Sequence, residues 1–228
     1  MDTLTRKSLT NRGTQMTQQA IIVEDDPLTL LSLSAAIEQS GVHVVGKTSK
    51  AGEAVELART TNPDVAVLDL HLGLGPTGLD VAHALRRQNP NIGIVFLTSY
   101  DDPRLLHPSL PELPEGSVYL TKRSVSDLDI LKTAMNESVT TSRQRSRNSL
   151  SPLGNLSNSQ IETLRLVAKG LTNAEIAKRR YVTPKSVELM ISRLAKNLGL
   201  GQDAAQNQRV HIANVYFRAI GVDVNEEL

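Results

Sequence analysis

Four short apolar runs in this chain each lead into polar residues. Ile21-Ile22-Val23 leads to Asp25-Asp26, Val65-Ala66-Val67-Leu68 to Asp69, Ile94-Val95-Phe96-Leu97 to Thr98, and Val118-Tyr119-Leu120 to Lys122. Runs without alternation suit strands buried on both faces, as in parallel sheets. The C-terminal tips of parallel strands gather on one edge, where open α/β folds bind ligands. The pattern therefore predicts three carboxylates, a hydroxyl and an ammonium around one point. That set suits a divalent cation and a phosphoryl group.

The intervening sequence supports a parallel sheet. Strands are predicted at 20–24, 42–46, 64–68, 93–98 and 117–120, and helices near 27–40, 50–61, 78–88 and 124–139. Pro27 fits the first turn of a helix, where its missing N–H costs nothing, and Gly41 fits that helix's end. Ala51, Ala54, Val55, Leu57 and Ala58 form an apolar stripe at helical spacing. Alternating strands and helices of this kind make βαβ units. The pattern breaks between Asp101 and Gly116, where a fourth helix is due, because Pro103, Pro108, Pro111 and Pro114 forbid a helix of normal length. One short helical turn near 102–107 followed by an irregular loop is expected.

Charge divides the chain in two. Residues 18–136 carry 9 Lys/Arg against 15 Asp/Glu, whereas residues 156–222 carry 10 against 4. An acidic half and a basic half suggest a metal for the first and nucleic acid for the second. With no cysteine there are no disulfides and no thiolate metal sites. No apolar stretch reaches the ~20 residues of a membrane span, and no secretory signal is evident, so a soluble, cytoplasmic protein is expected. The polar residues 1–17 read as a disordered extension and 18–139 as the α/β domain. Residues 140–154, with three arginines, read as a flexible linker or else an auxiliary phosphate-binding strand.

Residues 155–228 read as an all-helical, four-helix domain. Ser157 or Asn158 caps the first helix and Gly170 ends it. Thr172-Asn-Ala-Glu175 is a capping box opening a short helix through Arg180. Thr183 caps and Pro184 begins a third helix, which ends at Gly199. A last helix is expected from about Gln206 to Ala219, with apolar residues on more than one face that could pair two copies.

Asp25, Asp26 and Asp69 would repel one another without a cation, and hard oxygen ligands with room for water and phosphate oxygens match Mg²⁺ (or Mn²⁺). With the metal shielding the carboxylates, Asp69 can attack phosphorus and form an acyl phosphate. Lys122 would pair with the phosphoryl group and Thr98 would hydrogen-bond one of its oxygens. Gly73-Leu-Gly75-Pro-Thr-Gly78 fits the dinucleotide pattern G-x-G-x-x-G. It follows the third strand, however, and contains Pro76, with no acid about 20 residues later. An aspartyl-phosphate phosphatase of the haloacid-dehalogenase type would carry an Asp-x-Asp pair, and residue 71 is His.

Residues 18–136 resemble the receiver domain of two-component response regulators, through Asp25-Asp26, Asp69, Leu-Thr98-Ser and Tyr-Leu-Thr-Lys122. The resemblance implies a flavodoxin-like (βα)5 fold with a degenerate fourth helix, and a sensor histidine kinase that phosphorylates Asp69. It implies that His71 lends its backbone carbonyl to the metal, and that the His71 and Tyr100 side chains flank the path of a hydrolytic water. Tyr119 falls where the family carries a switch aromatic that rotates inward on phosphorylation. Three features depart from the family: Gly78 lies nine residues after Asp69 rather than eight, Arg123 replaces a cis-proline, and prolines crowd the fourth helix.

The C-terminal helices resemble the LuxR-type helix-turn-helix domain of the NarL/FixJ response regulators, through Leu171-Thr-Asn-Ala-Glu-Ile-Ala-Lys and Val182-Thr-Pro-Lys-Ser-Val-Glu. The resemblance implies a transcriptional regulator, not a metabolic enzyme, that binds double-stranded DNA as a homodimer. The helix at 184–198 would present Lys185, Ser186, Glu188, Leu189, Ser192, Arg193 and Lys196, with Arg179 and Arg180 behind them. Ala174 and Ala177 would let the two helices approach closely. Glu188 and Met190 stand where lysine and histidine are common in the family. A glutamate cannot hold a phosphate, and this leaves an alternative in which the protein acts mainly through protein–protein contacts, with weak or non-specific DNA binding.

Overall fold

The computed structural model describes residues 17–107, 110–140, 147–148, 153–200 and 208–222. The expected extension at 1–17 lies almost wholly outside the described residues.

Strands β1 (Gln19–Val23), β2 (His43–Thr48), β3 (Val65–Leu68), β4 (Gly93–Thr98) and β5 (Val118–Thr121) form a parallel sheet in the order β2-β1-β3-β4-β5. Helices α1 (Pro27–Gln39), α2 (Ala51–Thr61), α3 (Gly78–Gln88) and α4 (Leu128–Thr140) cover it. The strands alternate between two cores. Ile21, Val23, Ala66, Leu68, Ile94 and Phe96 face the α2/α3 side, while Ala20, Ile22, Val65, Val67, Val95 and Leu97 face the α1/α4 side. Each Val, Leu, Ile or Phe among them contributes about 1.5–3 kcal/mol when fully buried, so both faces fix the register.

Caps set the ends of the helices. The Asp26 carboxylate accepts from the Thr29 amide at 2.7 Å, with Pro27 in the first turn of α1. Thr77 and Asp80 form a reciprocal capping box on α3. A methyl group on Gly78 would lie 1.8 Å from the Asp69 carbonyl oxygen, so this glycine closes α3 onto the end of β3 despite the longer loop.

Where the fourth helix was expected to fail, the chain makes one 3-10 turn at Pro103–Leu105, and the described residues 110–117 before β5 form no helix or strand. A second 3-10 turn, Lys122–Ser124, precedes α4, which starts at Leu128 rather than 124. Within the stretch read as a flexible linker, a two-residue strand β6 (Arg147–Asn148) extends the sheet beside β5. The backbone at an open parallel edge supplies donors and acceptors whatever the side chains, which is why composition favoured a spacer.

Beyond residue 153 lie α5 (Asn158–Ala168), α6 (Asn173–Arg180), α7 (Pro184–Asn197) and α8 (Gln208–Ala219). Capping boxes at Ser157/Gln160 and Thr172/Glu175 open α5 and α6, and Thr183 caps α7. Tyr181 takes the left-handed conformation (φ 54°) that ends α6 and turns the chain into α7. Leu164, Ile176, Val187, Leu194 and Ile212 fill the core. Ala177 is buried there as expected, but Ala174 is exposed and takes no part in the helix approach.

The two halves touch through the loop after β4. Leu105, 1% exposed, belongs to the core of the helical half, and the Asp101 amide donates to the Ala219 carbonyl at 2.8 Å.

Candidate functional site

The sheet edge assembles most of the predicted site. Asp69, just past β3, is 8% exposed, and its Oδ2 lies 2.9 Å from Lys122 Nζ. The same ammonium lies 2.7 Å from Glu24 Oε2. Glu24 is 1% exposed, and this burial raises its carboxyl above the ordinary value although the Lys122 hydrogen bond pulls it down. Burial also works to lower the Lys122 ammonium, but the hydrogen bonds and charges of Glu24 and Asp69 outweigh it, and the net shift is upward. Lys122 thus stays charged between two buried acids.

Carboxylate oxygens of Glu24, Asp25 and Asp69 lie within 4.8 Å of one another. This corrects the predicted acid pair: Glu24 and Asp25 face the site, whereas Asp26 caps α1. Three acids run consecutively here. The last stands directly before Pro27, so the first turn of α1 claims its carboxylate, and the Thr29 hydrogen bonds hold that group below the ordinary range. Proline after an acid is the signal that would have separated the two roles.

Thr98, fully buried, ends β4, and its Oγ1 accepts a long 3.5 Å hydrogen bond from the Tyr100 amide. Tyr119 is 2% exposed and donates its hydroxyl to the Tyr100 carbonyl at 2.8 Å. The side chain expected to rotate inward is therefore already inward, and burial raises its phenol strongly. The His71 ring lies 6.4 Å from the Tyr100 ring, with Nδ1 3.8 Å from Asp25 Oδ2, so both side chains border the acid cluster.

On the helical half, α7 presents Lys185, Glu188, Leu189, Ser192, Arg193 and Lys196 to solvent. Lys185 Nζ pairs with Glu188 Oε2 at 2.7 Å, and the Ser186 amide caps on Thr183. Arg179 is exposed. Arg180 departs from the expectation. Its guanidinium donates to the Thr163 hydroxyl at 2.6 Å and the Ser159 hydroxyl at 2.7 Å, so it ties α6 to α5 rather than facing outward. Two polar hydroxyls on the neighbouring helix satisfy it, and adjacent basic residues at the end of a helix do not reveal which one turns in.

Residues 20–128 match the response regulator receiver domain family, and residues 154–207 match the bacterial regulatory proteins of the luxR family. Response regulator protein VraR of Staphylococcus saprophyticus is 30% identical over 197 residues, covering 82% of this chain and 93% of that protein. The oxygen regulatory protein NreC of Staphylococcus aureus is 28% identical over 196 residues, covering 79% and 90%. A solved structure of two RcsB dimers bound to two parallel DNAs shares the fold, with a TM-score of 0.56 at 20% identity, covering 90% of this chain and 99% of that one. The fold and these matches define a DNA-binding two-component response regulator. The chain belongs to the NarL/FixJ family, whose members join a receiver to a LuxR-type helix-turn-helix domain. No helix among the described residues is long and apolar enough to cross a membrane.

Proposed function

We propose that Asp69 is the phosphoacceptor of this regulator and that its phosphorylation by a sensor histidine kinase controls DNA binding. The observation carrying this reading is the Lys122 ammonium held on Asp69 inside the Glu24–Asp25–Asp69 cluster. An Asp69 oxygen forms a bond to phosphorus while the P–N bond to the donor histidine breaks. The electron pair stays on the ring nitrogen, which takes a proton. Lys122 pairs with the incoming oxygens, and Thr98 supplies a hydroxyl to one of them. Small phosphodonors serve the same attack, and slow hydrolysis reverses it when a water oxygen bonds phosphorus and Asp69 leaves as carboxylate.

The clustered carboxylate oxygens fit Mg²⁺, or Mn²⁺, better than a softer ion. Glu24, Asp25, Asp69 and the His71 backbone carbonyl would hold the ion, which when bound neutralises charge between the acids and the phosphoryl group. Asp26 is left to its cap.

We assign residues 18–139 to the receiver, 140–154 to the connection and 155–228 to the DNA-binding domain, in a cytoplasmic protein that acts on DNA as a homodimer. The dimers named in the RcsB–DNA structure motivate that assembly. Lys185, Arg193, Lys196 and Arg179 would meet phosphates or bases, with Ser192 and Leu189 between them.

The test is retention of genomic fragments by wild type and Asp69→Ala, with and without phosphodonor and Mg²⁺. Donor-dependent specific retention is expected for wild type alone. Identical retention by both proteins under all conditions would reject the switch, and no specific retention at low salt would favour protein–protein contacts as the output.

A further inference from the structure

The outward face of α7 is not uniformly basic. Val187, Ile191, Leu194 and Ala195 are buried in the helical core, which fixes the rotation of this helix about its axis. The opposite side then carries Lys185, Glu188, Leu189, Ser192, Arg193 and Lys196, all exposed. Cations stand at both ends of this stripe, and an acid, an apolar side chain and a hydroxyl stand between them. Met190 is turned to the flank, where its sulfur accepts from Arg180 at 3.5 Å.

Glu188 is held from one side only. Lys185, one turn earlier, donates to its Oε2 at 2.7 Å, and this bond raises the Lys185 ammonium above its ordinary value. Among the described residues nothing bonds Glu188 Oε1. Leu189 beside it is apolar yet 52% exposed. Neither side chain suits a surface that meets phosphates alone, because the carboxylate repels them and the leucine bonds nothing. Both suit base edges in a major groove. Cytosine presents its N4 amino donor there, whereas guanine O6 and N7, thymine O4 and adenine N7 are acceptors that a carboxylate repels. The thymine methyl takes apolar contact.

Resting on the reading of α7 as the element that meets DNA, we propose that Glu188 is a specificity-determining residue that selects a cytosine in the binding site, with Leu189 selecting a thymine beside it. Glu188 Oε1 accepts from the cytosine N4 amino group. Lys185 stays on Oε2, where it steadies the carboxylate and offsets its charge near the phosphates. Rejection contributes as much as attraction, since a carboxylate set over any other base faces an acceptor. Affinity then comes from Arg179, Arg193 and Lys196, and the choice of sequence from the middle of the helix.

The experiment selects bound duplexes from a random library with the full chain, with and without acetyl phosphate and Mg²⁺, and then measures affinity for the selected site at fixed salt. Wild type should return a site with a constant cytosine, and any other base there should weaken binding about tenfold. Glu188→Gln should move that preference to adenine, whose N6 and N7 suit an amide, and Glu188→Lys should move it to guanine, with the other positions unchanged. Leu189→Ala should relax only the neighbouring thymine. One unchanged site for wild type, Glu188→Gln and Glu188→Lys would overturn the proposal. So would a Glu188→Ala protein that binds every sequence more tightly with the cytosine preference intact, the behaviour of a charge that only repels phosphates. No preferred site for any of these proteins under either condition would strike the reading of α7 as the DNA-facing element, and this inference with it.

Discussion

Lys122 Nζ stands 2.9 Å from Asp69 Oδ2 and uses the same charge to hold buried Glu24 at 2.7 Å. Removing the ammonium leaves two acids facing each other with no cation, and takes away the positive charge that would meet the phosphoryl oxygens. Lys122→Ala should therefore slow labelling of Asp69 about a hundredfold, the cost of losing one preorganised electrostatic group. Labelling within twofold of wild type would show, on about that scale of effect, that Lys122 does not meet the phosphoryl group.

Mg²⁺ should stabilise the protein through the same acids. A thermal melt of wild type is expected to rise with Mg²⁺ by mass action, and removal with chelator to reverse it. Asp25→Asn should lose most of that response, Asp26→Asn should keep it, and Glu24→Gln should weaken it. A response lost in Asp26→Asn as well as in Asp25→Asn, but kept in Glu24→Gln, would reinstate the pair read from sequence.

Arg180 and Arg193 should separate structure from recognition. Arg193→Ala is expected to reduce the slope of log affinity against log salt by about 1, with the melt unchanged. Arg180→Ala should instead lower the melt, because hydroxyls of Ser159 and Thr163 lose their partner, and should leave the slope alone. Glu188→Ala should free Lys185 and steepen the slope by about 1.

Leu105 should couple the two halves. Truncating this buried side chain to alanine costs about 2–5 kcal/mol at a core site. Since the core belongs to the helical domain and the backbone to the receiver, Leu105→Ala should split one unfolding transition in calorimetry into two. A single transition shifted as a whole would count against this loop as the joint.

The sheet and its edge were legible because continuous apolar runs ending in polar residues have few other uses. The failure of the fourth helix was legible from Pro103, Pro108, Pro111 and Pro114, since proline acts locally. The division of labour among Glu24, Asp25 and Asp26 was misread: it depends on where β1 stops and α1 begins, within a single residue. The contacts that Arg104, Leu105 and Arg123 make with the helical half carried no signal. Across the joint, Arg104 and Arg123 donate to main-chain carbonyls 49 to 95 residues away. No residue type or spacing records a carbonyl target.

The central claim is that Asp69 carries the phosphoryl group, and site mapping tests it most directly. After treatment with acetyl phosphate and Mg²⁺, borohydride reduces an aspartyl phosphate to homoserine, which peptide mass spectrometry locates. Homoserine at position 69, absent from Asp69→Ala and from untreated protein, is the expected result. Homoserine at another aspartate with position 69 unmodified would contradict it.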